Sequence, residues 1–191
     1  GFNSLKWNFE RDRTVAVSVD SQPIKMLRYT AKKYSVAVSF GYYELCDEAI
    51  YSSYMFIGKN GEIVNNFRRV SKGWKEYDIT DEHYKEGDGF KTFTYMGKRI
   101  ALAVCGDLWY EENIEQINKE KFDFLLYPVY VTYNTEMWRT KLVNEYAEQA
   151  KKIPRPVFLV NSICDADNTR GGCYAFLNGK TVCEVPMGQD G

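Results

Sequence analysis

Cys105 is the residue whose neighbours best suit it to covalent chemistry. It closes the apolar run Arg99–Cys105 (RIALAVC) and is followed by Gly106-Asp107-Leu108-Trp109, a glycine-containing turn ahead of a helical pattern that begins at Glu111. A thiol at a strand end, facing a helix N-terminus, has two helpers. Backbone N–H groups of the turn, Gly106 among them, can hold an oxyanion, and the helix dipole favours the nucleophilic thiolate. The plainer alternative is a buried small hydrophobe, which is what most free cysteines are. Trp109 and Tyr110 follow directly and either line an acyl pocket or seal the core. Asp107 is by type a cap for the turn.

Most rival chemistries lack their residues. His83 is the only histidine, and it lies in the polar run Asp81–Glu86 (DEHYKE), where a solvated side chain is the default and a lid role the alternative. Histidine-rich metal sites are absent, and a Cys–His or Ser–His pair would hang on that one residue. The five cysteines (Cys46, Cys105, Cys164, Cys173, Cys183) are odd in number and form no C-x-x-C pair. Neither a zinc ribbon nor a disulfide framework follows, and a reducing, cytoplasmic setting is expected, with no metal or cofactor.

The elements that must position Cys105 read as alternating helices and strands with inserted hairpins, an α/β pattern of mixed sheets layered with helices. Gln22–Tyr34 places Ile24, Leu27, Tyr29 and Ala31 at near-helical spacing, and Val36–Phe40 reads as a buried strand. Ile50–Ile57 and Glu62–Val70 flank Gly58-Lys59-Asn60-Gly61, whose Asn-Gly favours a hairpin. Ser71–Gly89 is polar and reads as a long loop or lid. Phe90–Tyr95 and Arg99–Cys105 form a second hairpin, Glu111–Lys119 a short helix, Phe122–Tyr127 a strand stopped by Pro128, and Glu136–Lys152 a longer helix ended by Pro154. Val157–Asn161 is a buried strand, and Cys173–Leu177 pairs with Thr181–Val185 around Asn178-Gly179.

The chain has 191 residues, 45% hydrophobic and 27% charged, enough for one domain with a substantial core. Lys+Arg number 25 against Asp+Glu 26, a net charge of −1, which leaves no basic excess for a nucleic-acid partner. No apolar run approaches the roughly 20 residues that span a bilayer, so no membrane association is expected.

Several motifs, in this order, resemble the carbon–nitrogen hydrolase (nitrilase) superfamily nearly end to end. Ala37–Glu44 (AVSFGYYE) is similar to its G-x-x-E strand, Ile50–Val70 to its G-x-I hairpin ending in Y-R-K, and Arg99–Tyr110 (RIALAVCGDLWY) to its nucleophile motif. Leu126-Tyr127-Pro128, Trp138–Gln149, Val160-Asn161-Ser162 and Gly172–Pro186 resemble its later segments. The resemblance implies a four-layer α-β-β-α sandwich and hydrolysis of an amide, N-carbamoyl compound or nitrile through a cysteine thioester. It implies Cys105 as nucleophile, Glu44 as a second glutamate beside the general base, and a substrate pocket near Tyr130, Tyr133 and Trp138, for which a dimer face or core wall is the plainer alternative. It also implies a homodimer acting on small molecules.

Two departures from the family pattern stand out. Arg69 occupies the position of the family's lysine (FRRV for YRK). It either stabilises the oxyanion itself, leaves that task to Lys72 or Lys75, or is a structural ion pair in a site without activity. Gly1-Phe2 resembles a dipeptide that follows the general base in the family, so that base is expected upstream of residue 1, with Glu10 a weaker candidate. The chain is accordingly expected to be trimmed at both ends. Rival readings are a non-catalytic ligand-binding or regulatory homologue, and a glutaminase module of an amidotransferase or NAD synthetase.

Overall fold

Backbone pairing builds a four-stranded sheet within residues 1–88, and a six-stranded and a two-stranded sheet within residues 89–191, two compact units. The computed structural model describes residues 5–164 and 169–188. Gly1-Phe2 therefore lies outside the described residues.

In the first unit, α1 (Phe9–Asp12) and α2 (Gln22–Tyr34) precede β1 (Val38–Cys46), β2 (Ala49–Ile57), β3 (Ile63–Arg68) and β4 (Tyr84–Lys85). Strands β1, β2 and β3 are antiparallel neighbours, and β4 joins β2 in parallel. Helix α2 has the expected span because both ends are marked, by a proline in its first turn and by Ser35 in the left-handed region (φ 52°). It buries Ile24 and Ala31 against Met55 and Ile57. Leu27 and Tyr29, expected on that face, are 37% and 66% exposed, because the sheet covers a narrower stripe of the helix. Val36–Phe40 is also not a buried strand. Val36 is 54% exposed, and β1 pairs with β2 along its length, while Val17 bridges it in parallel at Glu44, away from Val36.

The β2–β3 turn requires glycine at Gly61, where φ is +82° and an added Cβ would stand 2.6 Å from the Arg28 carbonyl oxygen of α2. The region after β3 is more ordered than a loop or lid. Tyr84 pairs with Ile50, Gly87 N–H donates to the Arg69 carbonyl at 2.8 Å, and the buried Lys75 ammonium meets Glu86 at 3.0 Å. His83 stacks on Phe9 with centroids 3.9 Å apart and lies 2.9 Å from Asp81.

In the second unit, the strands are β5 (Phe93–Tyr95), β6 (Lys98–Leu102), β7 (Phe124–Val129), β8 (Val157–Asn161), a short β9 (Ile163–Cys164) with β10 (Thr169–Arg170), then β11 (Cys173–Leu177) and β12 (Lys180–Val185). The main sheet runs β12-β11-β8-β7-β6-β5. Its central strands β6, β7 and β8 are parallel and the outer pairs antiparallel. Helix α3 (Glu111–Lys119) has the expected span. The longer helix begins as α4 (Thr135–Met137), where the Asn134 side chain accepts two N–H groups, passes through a π-turn at Trp138–Leu142 and continues as α5 (Val143–Ala150). Helices and sheet share a core that includes Ile114, Ile117, Leu125, Tyr127, Tyr146, Ala147, Leu159 and Phe176.

Two expectations in this unit are corrected. Strand β8 alternates, with Val157 and Leu159 buried but Phe158 and Val160 39% and 43% exposed, as one covered face dictates. Pro128 does not stop β7, which runs through it to Val129 and pairs Pro128 with Val160. Leu125 N–H donates towards β8, to the Pro156 carbonyl, so by alternation the nitrogen of Pro128 faces the β6 side. The last bond there, Ala103 N–H to the Leu126 carbonyl, has already been made, and the missing N–H breaks no β6–β7 pairing.

Candidate active site

Cys105 opens a 3₁₀ turn, Cys105–Trp109, and β6 stops at Leu102, short of the cysteine expected to close it, as Val104 turns to its bonds with Asp107. The φ of Cys105 is +49°, a left-handed conformation that costs a residue with a side chain about 1–3 kcal/mol and is held by the surrounding structure. Five hydrogen bonds do the holding. The wholly buried Asp107 carboxylate accepts the Val104 N–H at 2.8 Å, and the Asp107 N–H returns to the Val104 carbonyl at 3.0 Å. The Tyr127 hydroxyl of β7 donates to the Cys105 carbonyl at 2.6 Å. Asn113 of α3 donates to the Asp107 carbonyl at 3.1 Å, and Gln149 of α5 to that of Leu108. The turn is thus tied to the neighbouring strand and to both covering helices.

The thiol is half-buried among aromatic groups. Trp109 meets Tyr146 edge to face at 5.2 Å, and Tyr146 lies 5.1 Å from Trp138. Burial pushes the Tyr146 phenol well up, helped by the charges that Cys105 and Tyr133 carry when ionised. Burial does the same to Tyr127, again with contributions from Tyr146 and Cys105. Both phenols stay neutral near pH 7, which keeps the Tyr127 O–H available to the Cys105 carbonyl.

Within the first unit, Glu44 of β1 is 2% exposed. It accepts Arg68 Nε at 2.9 Å, Arg68 Nη2 at 2.7 Å and Ser53 Oγ at 2.7 Å. Burial pushes this carboxyl up, but the hydrogen bonds from Arg68 and Ser53 and the Arg68 charge outweigh it, and the group lies below its ordinary value. The Arg68 guanidinium also covers the Tyr51 ring at 3.8 Å. Arg69, the first residue beyond β3, is 8% exposed, its Nε donating to Ser71 Oγ at 2.8 Å.

Of the residues singled out from the sequence, Cys105, Gly106, Trp109 and Tyr130 belong to the second unit, and Glu44 and Arg69 to the first. Tyr130 follows the end of β7 as Cys105 follows the end of β6, and parallel register puts both at the carboxyl edge of one sheet, where ligands of parallel sheets bind. Sequence reasoning missed two positioning residues. Arg68 sits next to Arg69 in the same motif, and only strand register reveals that it, and not Arg69, reaches Glu44. Asn161 at the end of β8 accepts the Val131 N–H at 3.0 Å and donates to the Gly171 carbonyl at 2.9 Å, clamping the segment that carries Tyr130. Its sequence signal was a polar residue closing an apolar strand. Among the described residues, no group of three or more His, Cys, Asp or Glu can hold a metal, and no helix is long and apolar enough to cross a membrane.

The carbon–nitrogen hydrolase family matches residues 4–183, and the chain belongs to it. A citrullinase from Francisella tularensis is 25% identical over 120 residues, 60% of this chain and 41% of that protein. An N-carbamoylputrescine amidase from Solanum lycopersicum is 26% identical over 110 residues, 55% and 35% of the two chains. The chain thus spans less than half the length of these relatives. Among solved structures, a carbon–nitrogen hydrolase from Helicobacter pylori aligns with a TM-score of 0.68 at 16% identity, covering 86% of this chain and 63% of that one. A nitrilase-superfamily amidase from Nesterenkonia aligns with a TM-score of 0.66 at 14% identity, over 86% and 62%. These likenesses show the nitrilase fold.

Proposed function

We propose that this protein hydrolyses the non-peptide carbon–nitrogen bond of a small amide, N-carbamoyl compound or nitrile through a thioester on Cys105. For an amide, the thiolate adds to the carbonyl carbon, the C–N bond breaks as the nitrogen takes a proton, and ammonia or an amine leaves. Water then cleaves the thioester to acid and free thiol. The observation that carries this reading is the strained backbone of Cys105, braced by Asp107 and Tyr127. Strain maintained by so many contacts is typical of functional sites. A Nesterenkonia amidase of the same fold has been crystallised with the acetamide moiety of fluoroacetamide added covalently at its active site cysteine, which supports the assignment by analogy.

In this reading Gly106 contributes backbone to the oxyanion, and Trp109 and Tyr130 shape the acyl pocket. Arg69, at the family's lysine position, supplies a cation for the intermediate. Glu44 stays a carboxylate and contributes by fixing Arg68 rather than by moving protons. Residues 1–191 act as a single hydrolase domain, supported by a family match that runs through both units. A homodimer in a reducing, cytoplasmic setting completes the reading, and five free cysteines agree with it.

The test is ammonia release by the protein on glutamine, short aliphatic amides, aromatic amides, N-carbamoyl amino acids and nitriles, with Cys105→Ser in parallel. Turnover lost in the variant supports the proposal, and turnover that survives it refutes the thioester. A second reading, a ligand-binding homologue without turnover, is favoured by the burial of Arg69 against Ser71 in place of the family's compact ammonium. It predicts silence across the whole panel.

A further inference from the structure

Helix α2 is unusual in its charge. It carries Lys25, Arg28, Lys32 and Lys33 and no acidic residue, in a chain whose net charge is −1. Lys25, Arg28 and Lys32, three and four residues apart, fall on one ridge of the helix. That ridge borders the β2–β3 turn, and between them lies a shallow, wide-open cavity of about 230 Å³ lined by the three cations, Tyr29, Asn60 and Gly61.

The cavity is built, not incidental. Gly61 brings the turn so close to α2 that a Cβ would stand 2.6 Å from the Arg28 carbonyl oxygen and 3.3 Å from Lys32 Cβ. Arg28 Nε donates to the Gly61 carbonyl at 2.8 Å, which fixes the guanidinium while its terminal nitrogens remain donors. The acid of the turn, Glu62, is directed to the turn backbone, where it accepts the Asn60 N–H at 3.2 Å, and it does not line the cavity. Three cations and no carboxylate are among the lining residues, so their like charges disfavour one another and a multiply charged anion relieves that repulsion. A phosphate group, with about −1.5 to −2 charges at pH 7 and three strong acceptor oxygens, matches one fixed guanidinium and two exposed ammonium groups.

We propose that the cavity between α2 and the β2–β3 turn binds the phosphate group of a small soluble molecule. Arg28 is the oriented donor, Lys25 and Lys32 supply flanking charge, and Tyr29 forms the adjoining wall. The site involves none of the residues assigned to amide hydrolysis, so it stands or falls independently of that activity.

Isothermal titration of the full chain with inorganic pyrophosphate at low salt tests it. Pyrophosphate is expected to bind once per chain. Lys25→Gln/Lys32→Gln leaves the Arg28–Gly61 bond intact and is expected to weaken binding about tenfold or more, as loss of charge-assisted hydrogen bonds does. Lys119→Gln/Lys121→Gln removes the same charge from exposed positions of the second unit and is expected to change affinity less than about twofold. Equal weakening by both pairs would reduce the effect to net charge and overturn the site. Absence of pyrophosphate binding at millimolar concentration overturns it too. So does retention on vesicles of phosphatidylcholine and phosphatidic acid without pyrophosphate binding, which would assign the basic ridge to a lipid surface. Unchanged thermal melting of both double variants confirms that each is folded.

Discussion

Glu44 and Arg68 grip each other at two points across the first sheet, with Nε on one carboxylate oxygen and Nη2 on the other. Fork-on-carboxylate geometry fixes orientation as well as charge, so the pair sets where the β3 end leaves the sheet and Arg69 begins. Glu44 is 3% exposed at its side chain and Arg68 32%, so breaking the pair leaves a partly solvated charge. Glu44→Ala is therefore expected to cost about 2–3 kcal/mol, below the 3–5 kcal/mol of a wholly buried pair, measured by urea unfolding.

The same pair imposes a pH dependence. A carboxyl whose folded value lies below its ordinary 4.5 stabilises the protein above that value and loses the contribution as pH falls through the folded one. Unfolding free energy should decline on the acid side of that ordinary value, and Glu44→Gln should flatten this part of the curve. An identical acid limb in the variant would place the effect elsewhere.

Arg69 offers a direct kinetic test. If it serves as the cation for the intermediate, Arg69→Met should lower kcat by about 100- to 1,000-fold, the usual loss for one oxyanion donor, and Arg69→Lys should retain far more of the rate. A methionine variant with wild-type turnover would shift attention to the lysines that follow, of which Lys75 is buried and paired with Glu86.

Asp107 is expected to act on the nucleophile through the backbone. Asp107→Ala leaves the buried Val104 N–H without an acceptor, a penalty of about 1–3 kcal/mol, whereas Asp107→Asn keeps an oxygen there. Stability and kcat should both fall more steeply in the alanine variant. Rescue by asparagine separates positioning from a charge requirement.

The backbone at Cys105 makes its own prediction. Glycine tolerates a φ of +49° at little cost, and alanine does not. Cys105→Gly should therefore be about 1 kcal/mol more stable than Cys105→Ala, with both inactive. Equal stabilities by thermal melting would contradict the strain.

How much could be read from the chain depended on where the ordering information lies. Helices α2 and α3 were legible to the residue because their boundaries are local, set by a proline, a left-handed Ser35 and amphipathic spacing. The Cys105 turn was legible for the same reason. The segment after β3 was not, because its order comes from partners distant in sequence: Ile50 for Tyr84, and Glu86 for Lys75. Arg68 and Arg69 were indistinguishable by composition, and only the folded chain shows that Arg68 grips Glu44 while Arg69 bonds Ser71. Exposure of Leu27 and Tyr29 was likewise set by how little of α2 the sheet covers.

Pro128 has a consequence for the timing and fidelity of the neighbouring turn. A residue with an N–H at this position would offer the Ala103 carbonyl a donor and invite β6 to zip one step further along β7. The added pairing would next draw the Cys105 N–H towards the carbonyl of residue 128 and compete with the turn that begins there. By withholding a single hydrogen, the proline acts as a mechanical stop, and chain reversal at Cys105 becomes the route left open.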